Sequence, residues 1–306
     1  MKTQKEKNAA VKILAKSGLA EDLPRHNPQA ITFATDYLLF FGYLTVELLK
    51  KVSLDDIQAA IKLFQQYFGI KADGMLNEQT LKAMQTPRCG CPDKLDKSNV
   101  QHIEFLKVAE QIESKKDRWN KSGLTYYVSD YVTGKVNKNR QKAIFAEAFK
   151  SWDDVCGLNI SEVKNADKAD IIIATGKGVQ HQFDGKGGTL AWAYMPKGDN
   201  SKLIMRFDLD ETWVDAKTDR GILLYNVACH EFGHLSGLTH SKKSTALMAP
   251  YYNPFIGTPQ IDDDIPRIQK LYGKNLQTEK IQSMVSQKKD TIEVKLKPGF
   301  RLIVTN

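Results

Sequence analysis

The residues best suited to chemistry are concentrated in one stretch, His230-Glu-Phe-Gly-His-Leu-Ser-Gly-Leu-Thr-His240, which holds three of the chain's six histidines. On a helix, His230 and His234 stand at i and i+4, so both imidazoles leave the same face about one turn apart. Two nitrogen donors in that relation suit a zinc ion. Gly237 follows where a helix can end in a left-handed residue at little steric cost, after which the chain can turn and bring His240 to a third position. Three neutral ligands leave one coordination position open, the pattern of a catalytic rather than a structural zinc. Glu231 adjoins the first ligand and can reach a water at the metal without ligating it, which makes it the candidate general base.

A second segment, Pro87-Arg-Cys-Gly-Cys-Pro-Asp93, lies far upstream. A thiolate is a strong zinc ligand, and the open fourth position is where Cys89 would sit. Taken alone, Cys89 reads as a free surface thiol. Downstream of His240, Ala246-Leu-Met-Ala-Pro250 contains Met248. Together these segments resemble the matrixins, the matrix metalloproteinase family of the metzincin clan. HExxHxxGxxH followed by a methionine turn is the clan signature, with Met248 as the turn methionine. Ser241 directly after the third histidine, the PRCGxPD segment, and Asp263-Asp-Ile265 with Ile268-Gln269 and Leu271-Tyr-Gly273 are similar to the matrixin pattern.

The resemblance implies an α+β fold: a catalytic domain with a mixed five-stranded sheet and three helices, preceded by a small three-helix, peptidoglycan-binding-like propeptide. It implies a zinc endopeptidase made as a latent precursor, with Glu231 as general base and Cys89 blocking the metal until an activating protease removes the propeptide. Arg88 and Asp93 are expected to pair and hold the switch loop, and the new amino terminus to pair with Asp263 or Asp264. Cys91 departs from the pattern; it is either a tolerated small residue or a thiol able to compete for zinc or to oxidise. Cys156 and Cys229 read as buried thiols, and no pairing between them follows from sequence.

Phe183-Asp-Gly-Lys-Gly-Gly-Thr-Leu-Ala-Trp-Ala-Tyr194 is similar to a further family segment. Asp184, Asp208 and Glu211 match the carboxylates of a calcium site, and carbonyls of Gly185, Gly187 and Thr189 would complete an oxygen cage suited to a hard ion. The alternative is a solvated acidic loop. The family's structural zinc is expected to be absent, because Trp192 and Arg206 stand where its histidines would be and only His181 remains nearby. Trp192 and Arg206 are expected to stack instead. A second calcium site would need Asp170 and the loop near Asp199, which carries an insertion. An extended peptide substrate would lie antiparallel to the strand around Leu190 and Ala191. Pro250 and Tyr252 would form one wall of the adjoining pocket, with Asn226 near its floor.

These residues need elements to position them. Residues 1–28 read as an N-terminal tail and 29–93 as the helical propeptide ending in the switch. Ile31 to Leu49 carries helical apolar spacing. Ser53 opens a second helix with Ile57, Ala60, Ile61, Phe64 and Phe68 on one face, and Asn77 caps a third ending near Met84. Residues 94–120 read as a lysine-rich activation linker, with Lys115-Lys116 as a candidate cleavage site. From 121 to 273 the pattern becomes mixed: strands near 124–128, 158–163, 169–174, 190–194 and 203–207, and helices near 140–155, 225–236 and 262–272. Residues 274–306 form a basic extension with a possible hairpin around Pro298-Gly299.

Composition agrees with this division. The chain has 306 residues, 42% hydrophobic and 26% charged, ordinary for a folded two-domain protein. Of the net charge of +8, the last 33 residues carry +4, from seven basic and three acidic groups. That tail has no nucleic-acid motif, so no nucleic acid is expected as a partner. No apolar run is long enough to span a bilayer, and no signal peptide is visible. Protein or peptide substrates, a monomeric state and an extracellular location follow from the resemblance. The tail is too short for a C-terminal propeller domain.

Overall fold

The computed structural model describes residues 10–16, 28–44, 52–93, 118–217 and 220–275. The candidate cleavage site at Lys115-Lys116 and the possible C-terminal hairpin lie outside these residues.

The propeptide packs three helices, α1 (Pro28–Phe40), α2 (Leu54–Phe68) and α3 (Glu78–Met84), around one apolar cluster. Helix α1 is shorter than the apolar spacing to Leu49 suggested. It stops at Phe40, because Gly42 turns left-handed (φ 83°) and the Tyr43 and Leu44 amides fold back onto the Leu38 carbonyl. Helix α2 begins with a capping box: the Ser53 side chain accepts from the Asp56 amide, and Asp56 accepts from the Ser53 amide. Its face of Ile57, Ala60, Ile61 and Phe64 is buried. Asn77 caps α3 through the Thr80 amide. Residues 10–16, inside the stretch read as a tail, form a short helix whose Ala10 and Leu14 are buried in this cluster.

The second region, residues 118–273, has its own core, to which Trp152, Phe145, Phe207, Trp213 and Phe232 contribute. Its sheet contains β2 (Thr125–Val128), β3 (Ser161–Glu162), β4 (Ile171–Gly176), β5 (Thr189–Ala193) and β6 (Leu203–Asp208). Strands β3, β2, β4 and β6 run parallel, and β5 is antiparallel to β6. The expected five-stranded mixed sheet gains a sixth strand, β1 (Arg88–Cys89), which lies parallel to β5 and belongs to the switch segment. A separate two-stranded sheet pairs β7 (Trp213–Val214) with β8 (Ile222–Leu223).

Three helices complete this region: α4 (Lys138–Cys156), α5 (Leu224–Leu235) and α6 (Asp264–Tyr272). Helix α4 packs against α5, with Trp152 Nε1 donating to the Cys229 carbonyl (2.8 Å). Trp119, within the predicted linker, belongs to this core. It is 2% exposed, and its Nε1 donates to the Leu235 carbonyl (2.7 Å).

Candidate metal centre

Helix α5 sets the first two candidate ligands. It ends in a Schellman turn: the Gly237 amide donates to His234 O (2.8 Å) and the Leu238 amide to Gly233 O (3.0 Å), with Gly237 left-handed at φ 96°. The chain reverses there and delivers His240 to the face that carries His230 and His234. The next strut is the Ser241 amide, which donates to Met248 O (2.7 Å). Met248 is wholly buried beneath the helix. Gly233 makes this possible, since a β-carbon there would lie 2.2 Å from Met248 Sδ and 3.0 Å from Trp152.

The outer nitrogens fix the imidazole tautomers. His230 Nδ1 lies 2.7 Å from the Leu247 carbonyl, and His234 Nδ1 lies 2.7 Å from the Leu238 carbonyl. A carbonyl only accepts, so each Nδ1 carries the proton and each Nε2 is left with a lone pair. Those two Nε2 atoms face each other at 3.2 Å, and Cys89 Sγ is 3.4 Å from His234 Nε2. Donor atoms of Cys89, His230, His234 and His240 all lie within 4.8 Å of one another and are buried. Tetrahedral zinc, with bonds of about 2.0–2.1 Å to nitrogen and about 2.3 Å to sulfur, needs donors at roughly these separations. Facing lone pairs, a buried sulfur and a His240 Nε2 without a hydrogen-bond partner are costly together unless a cation lies among them. The four side chains therefore fit zinc.

Burial keeps the histidines in the form a metal needs. It pushes His230 down to about 3, helped by His240, and lowers His234 and His240 as well. Burial also raises Glu231, to about 8. Both Glu231 carboxylate oxygens are buried without a hydrogen-bond partner, and one lies within 4.8 Å of Cys89 Sγ.

The segment from Arg88 to Asp93 is held by a buried ion pair. Arg88 and Asp93 form a two-pronged contact, one arm being Nη1 to Oδ2 at 2.9 Å. Burial disfavours the Asp93 charge, but Arg88 and His240 outweigh it and hold the carboxyl down at about 2. Tyr43 donates to Asp93 Oδ2 (2.7 Å), Arg88 donates to Tyr37 (2.6 Å), and the guanidinium lies over the Phe41 ring at 3.5 Å. Asp93 Oδ1 stands 3.0 Å from His240 Nδ1, at ion-pair distance but off the axis of a hydrogen bond. The backbone is bonded on both sides: Arg88 N to Gly188 O (3.0 Å), Gly90 N to Ala191 O (2.8 Å), Cys89 N to Pro250 O (2.9 Å) and Tyr252 N to Pro87 O (2.9 Å).

A matrixin family model matches residues 118–273, and a putative peptidoglycan binding domain matches residues 27–84. The chain belongs to the matrixin family. Similar proteins include the hatching enzyme of Paracentrotus lividus, 38% identical over 71% of this chain and 34% of the relative. Macrophage metalloelastase of Rattus norvegicus is 36% identical over 73% of this chain and 45% of its own length. Matrix metalloproteinase-19 of Mus musculus is 33% identical over 86% and 48%. The chain thus spans less than half the length of these relatives. The matrixin family is zinc-dependent, in keeping with the donor set above.

The other predicted residues of this matrixin fall in three places. Asn226, Pro250 and Tyr252 line one cavity beside His230. Asn226 donates to the Asn253 and Ile256 carbonyls (3.2 and 2.9 Å), so its amide ties down the outer wall, and Tyr252 accepts from the Leu223 amide (2.9 Å). Leu190 is buried in the core, and Ala191 sits opposite Cys89 on the sheet edge. In the acidic loop, Asp184 accepts from the Thr189 amide (2.7 Å) and Glu211 from the Gly187 amide. Gly185 and Gly187 both have φ 92°. Asp208 Oδ2 is buried without a partner; burial, then repulsion from Asp210, Glu211 and Asp184, raises Asp208 to about 6.

Arg206 and Trp192 are cross-strand partners with the guanidinium 5.8 Å from the indole, as expected. His181 contributes its carbonyl to Trp192 Nε1 (2.8 Å). Asp170 is paired with Lys121 (2.5 Å). All four cysteines are free and buried. Asp264 is saturated by the amides of Leu247, Met248 and Gln260, whereas Asp263 holds Ser241 and Arg267.

Sequence reasoning missed the Asp93–His240 contact and the aromatic wall around Arg88. The i, i+4 aromatics Tyr37 and Phe41 were the available signal, but read alone they indicate only a helix core.

Proposed function

We propose that this chain is the latent form of a zinc-dependent endopeptidase that hydrolyses internal bonds of protein or peptide substrates, with Cys89 as the removable block. One observation carries this reading: the Cys89 sulfur completes a buried four-donor set with His230, His234 and His240. Zinc bound there would polarise the scissile carbonyl and acidify a water once the thiol leaves.

The chain's own residues do the rest. Glu231 sits beside the ligand set with no competing hydrogen bond, free to take the proton of the attacking water on a carboxylate oxygen and pass it to the leaving amine. The edge of β5 around Leu190 and Ala191 binds an extended peptide antiparallel, and the cavity lined by Asn226, Pro250 and Tyr252 takes the side chain after the cut. The switch now fills that edge in the parallel direction, opposite to a substrate. Met248 supports the histidines from below. An activating protease cuts N-terminal to Trp119, because that indole is built into the catalytic core and has to remain there. Asp263, whose partners are side chains rather than a saturating set of amides, receives the new amino terminus.

We further assign Asp184, Asp208 and Glu211, with carbonyls of Gly185, Gly187 and Thr189, to a calcium ion; the unpartnered Asp208 oxygen among like charges supports this. One catalytic zinc is expected per chain, with Trp192 and Arg206 filling the space of the structural one. The working form is monomeric and extracellular; no helix among the described residues is long and apolar enough to cross a membrane.

Two variants of the intact chain test the reading. Cys89→Ser should cut casein without proteolytic processing, and Cys89→Ser with Glu231→Ala should retain zinc but not cut. A Cys89→Ser precursor as inert as the parent, in a preparation whose processed form is active, would sink the latency assignment.

A further inference from the structure

The switch contains a second thiol that latency does not use. Cys91 is wholly buried, and its sulfur belongs to a second donor group with Cys89, Glu231 and His234, all within 4.8 Å of one another. The Cys91 amide donates to Cys89 Sγ (3.3 Å), so the chain curls around that sulfur, while Cys91 Sγ is held by the weaker contact to the Ala193 carbonyl (3.4 Å). The other two cysteines, Cys156 and Cys229, sit in the catalytic core. The intervening Gly90 has no side chain to obstruct a ring. A β-carbon there would meet Thr189 at 2.5 Å, so glycine is required in the docked state and leaves the hinge flexible once undocked.

We propose that Cys89 and Cys91 form a reversible disulfide under hydroperoxide and that this releases the metal centre without proteolysis. The inference rests on the proposed role of Cys89. The Cys89 residue is 6% exposed and Cys91 is wholly buried. The Cys89 thiolate attacks the peroxide, the O–O bond breaks, and the leaving hydroxide takes up the proton that the thiol gave up and departs as water. The sulfur becomes a sulfenic acid, and the peroxide is reduced. The Cys91 thiolate then attacks that sulfur, an S–S bond forms, the S–O bond breaks, and a second water carries away the remaining proton. Two thiols and one hydrogen peroxide yield one disulfide and two waters. Neither disulfide sulfur carries the negative charge that makes a thiolate a strong zinc ligand. Closing the bond also shortens the sulfur separation to about 2.05 Å. The Cys89 side chain must therefore turn from the histidines toward Cys91. A thiol reductant reverses the bond and restores the block.

The test uses the full chain with its zinc, treated with hydrogen peroxide in the absence of protease. The peptide containing both cysteines is weighed alongside activity. The parent should lose two hydrogens from that peptide and gain at least tenfold in activity, with both changes undone by dithiothreitol. Cys91→Ser should instead add oxygens to Cys89 and stay active after reductant; Cys91→Ala guards against an effect peculiar to serine. Oxygen addition in the parent, or a disulfide to Cys156 or Cys229, would overturn the proposal. So would a Cys89–Cys91 bond with no gain in activity, provided the processed chain is active. The Cys89→Ser chain, active without oxidant, shows separately whether the underlying latency holds.

Discussion

At the scale of single residues, two carboxylates carry the argument. Glu231 is buried, unpartnered and next to the metal set, so it is the group whose removal should separate chemistry from metal binding. Glu231→Gln is expected to lower kcat by about 10²–10⁴ while zinc content, read by atomic absorption, is unchanged. Asp93 is the other. It balances the buried Arg88 charge and stands against His240. Asp93→Asn strands that guanidinium and should weaken the docked propeptide by about 3–5 kcal/mol. Faster trypsin cleavage of the switch in the unactivated chain would show this; an unchanged cleavage rate would mean the pair is not what holds it. Glu231 was legible in the sequence because spacing along a helix is enough to place it. The Asp93–His240 contact was not, since it joins residues of two domains whose docking no local pattern encodes.

Elements decide how well those residues are held. Helix α5 was readable from the i, i+4 histidines and the glycine stop, and its Schellman turn is the physical form of that stop. Spacing along the chain assigns Gly233 no role. Its reason lies in the third dimension, where Met248 and Trp152 occupy the space of a side chain. Gly233→Ala should cost about 1–3 kcal/mol of stability by overpacking, measured by urea denaturation. The same limit explains Trp119. In sequence it is one aromatic in a polar linker, but in the structure it is a core residue. Asp170 ties the start of β2 to β4 through Lys121 and Thr125. Burial disfavours its charge, but those partners outweigh burial and hold it below its ordinary 3.8. A lowered carboxyl stabilises the fold above its unfolded value, and that contribution disappears as pH falls below it. Relative to the parent, Asp170→Asn should therefore be less stable at neutral pH and approach parity below about pH 4, by thermal denaturation.

At the scale of the molecule, two cores meet through strand β1, the Asp93–His240 contact and the packing of Phe68 against Tyr251. The change of pattern along the chain leads one to expect a division, and an apolar cluster lies on each side of it; the manner of docking, with β1 added to the edge of β5, was not legible. Edge strands are open to pairing by any extended segment, so the same backbone groups serve the inhibitor and, in the proposed function, the substrate. The acidic loop matters at this scale because, in the proposed function, it holds a stabilising ion. Calcium at about 100 times its Kd should stabilise the fold by about 2.7 kcal/mol. Asp208→Asn should abolish the rise in Tm; a parent protein whose Tm ignores both calcium and chelator would leave the loop merely acidic.

What surrounds the metal before and after the propeptide is released decides the proposed function. X-ray absorption at the zinc edge of the intact chain should report three nitrogen donors and one sulfur. After proteolytic processing, the sulfur should be replaced by a light oxygen or nitrogen donor as activity rises. A sulfur-free first shell in the intact, inactive chain would contradict the assignment of Cys89 as the block.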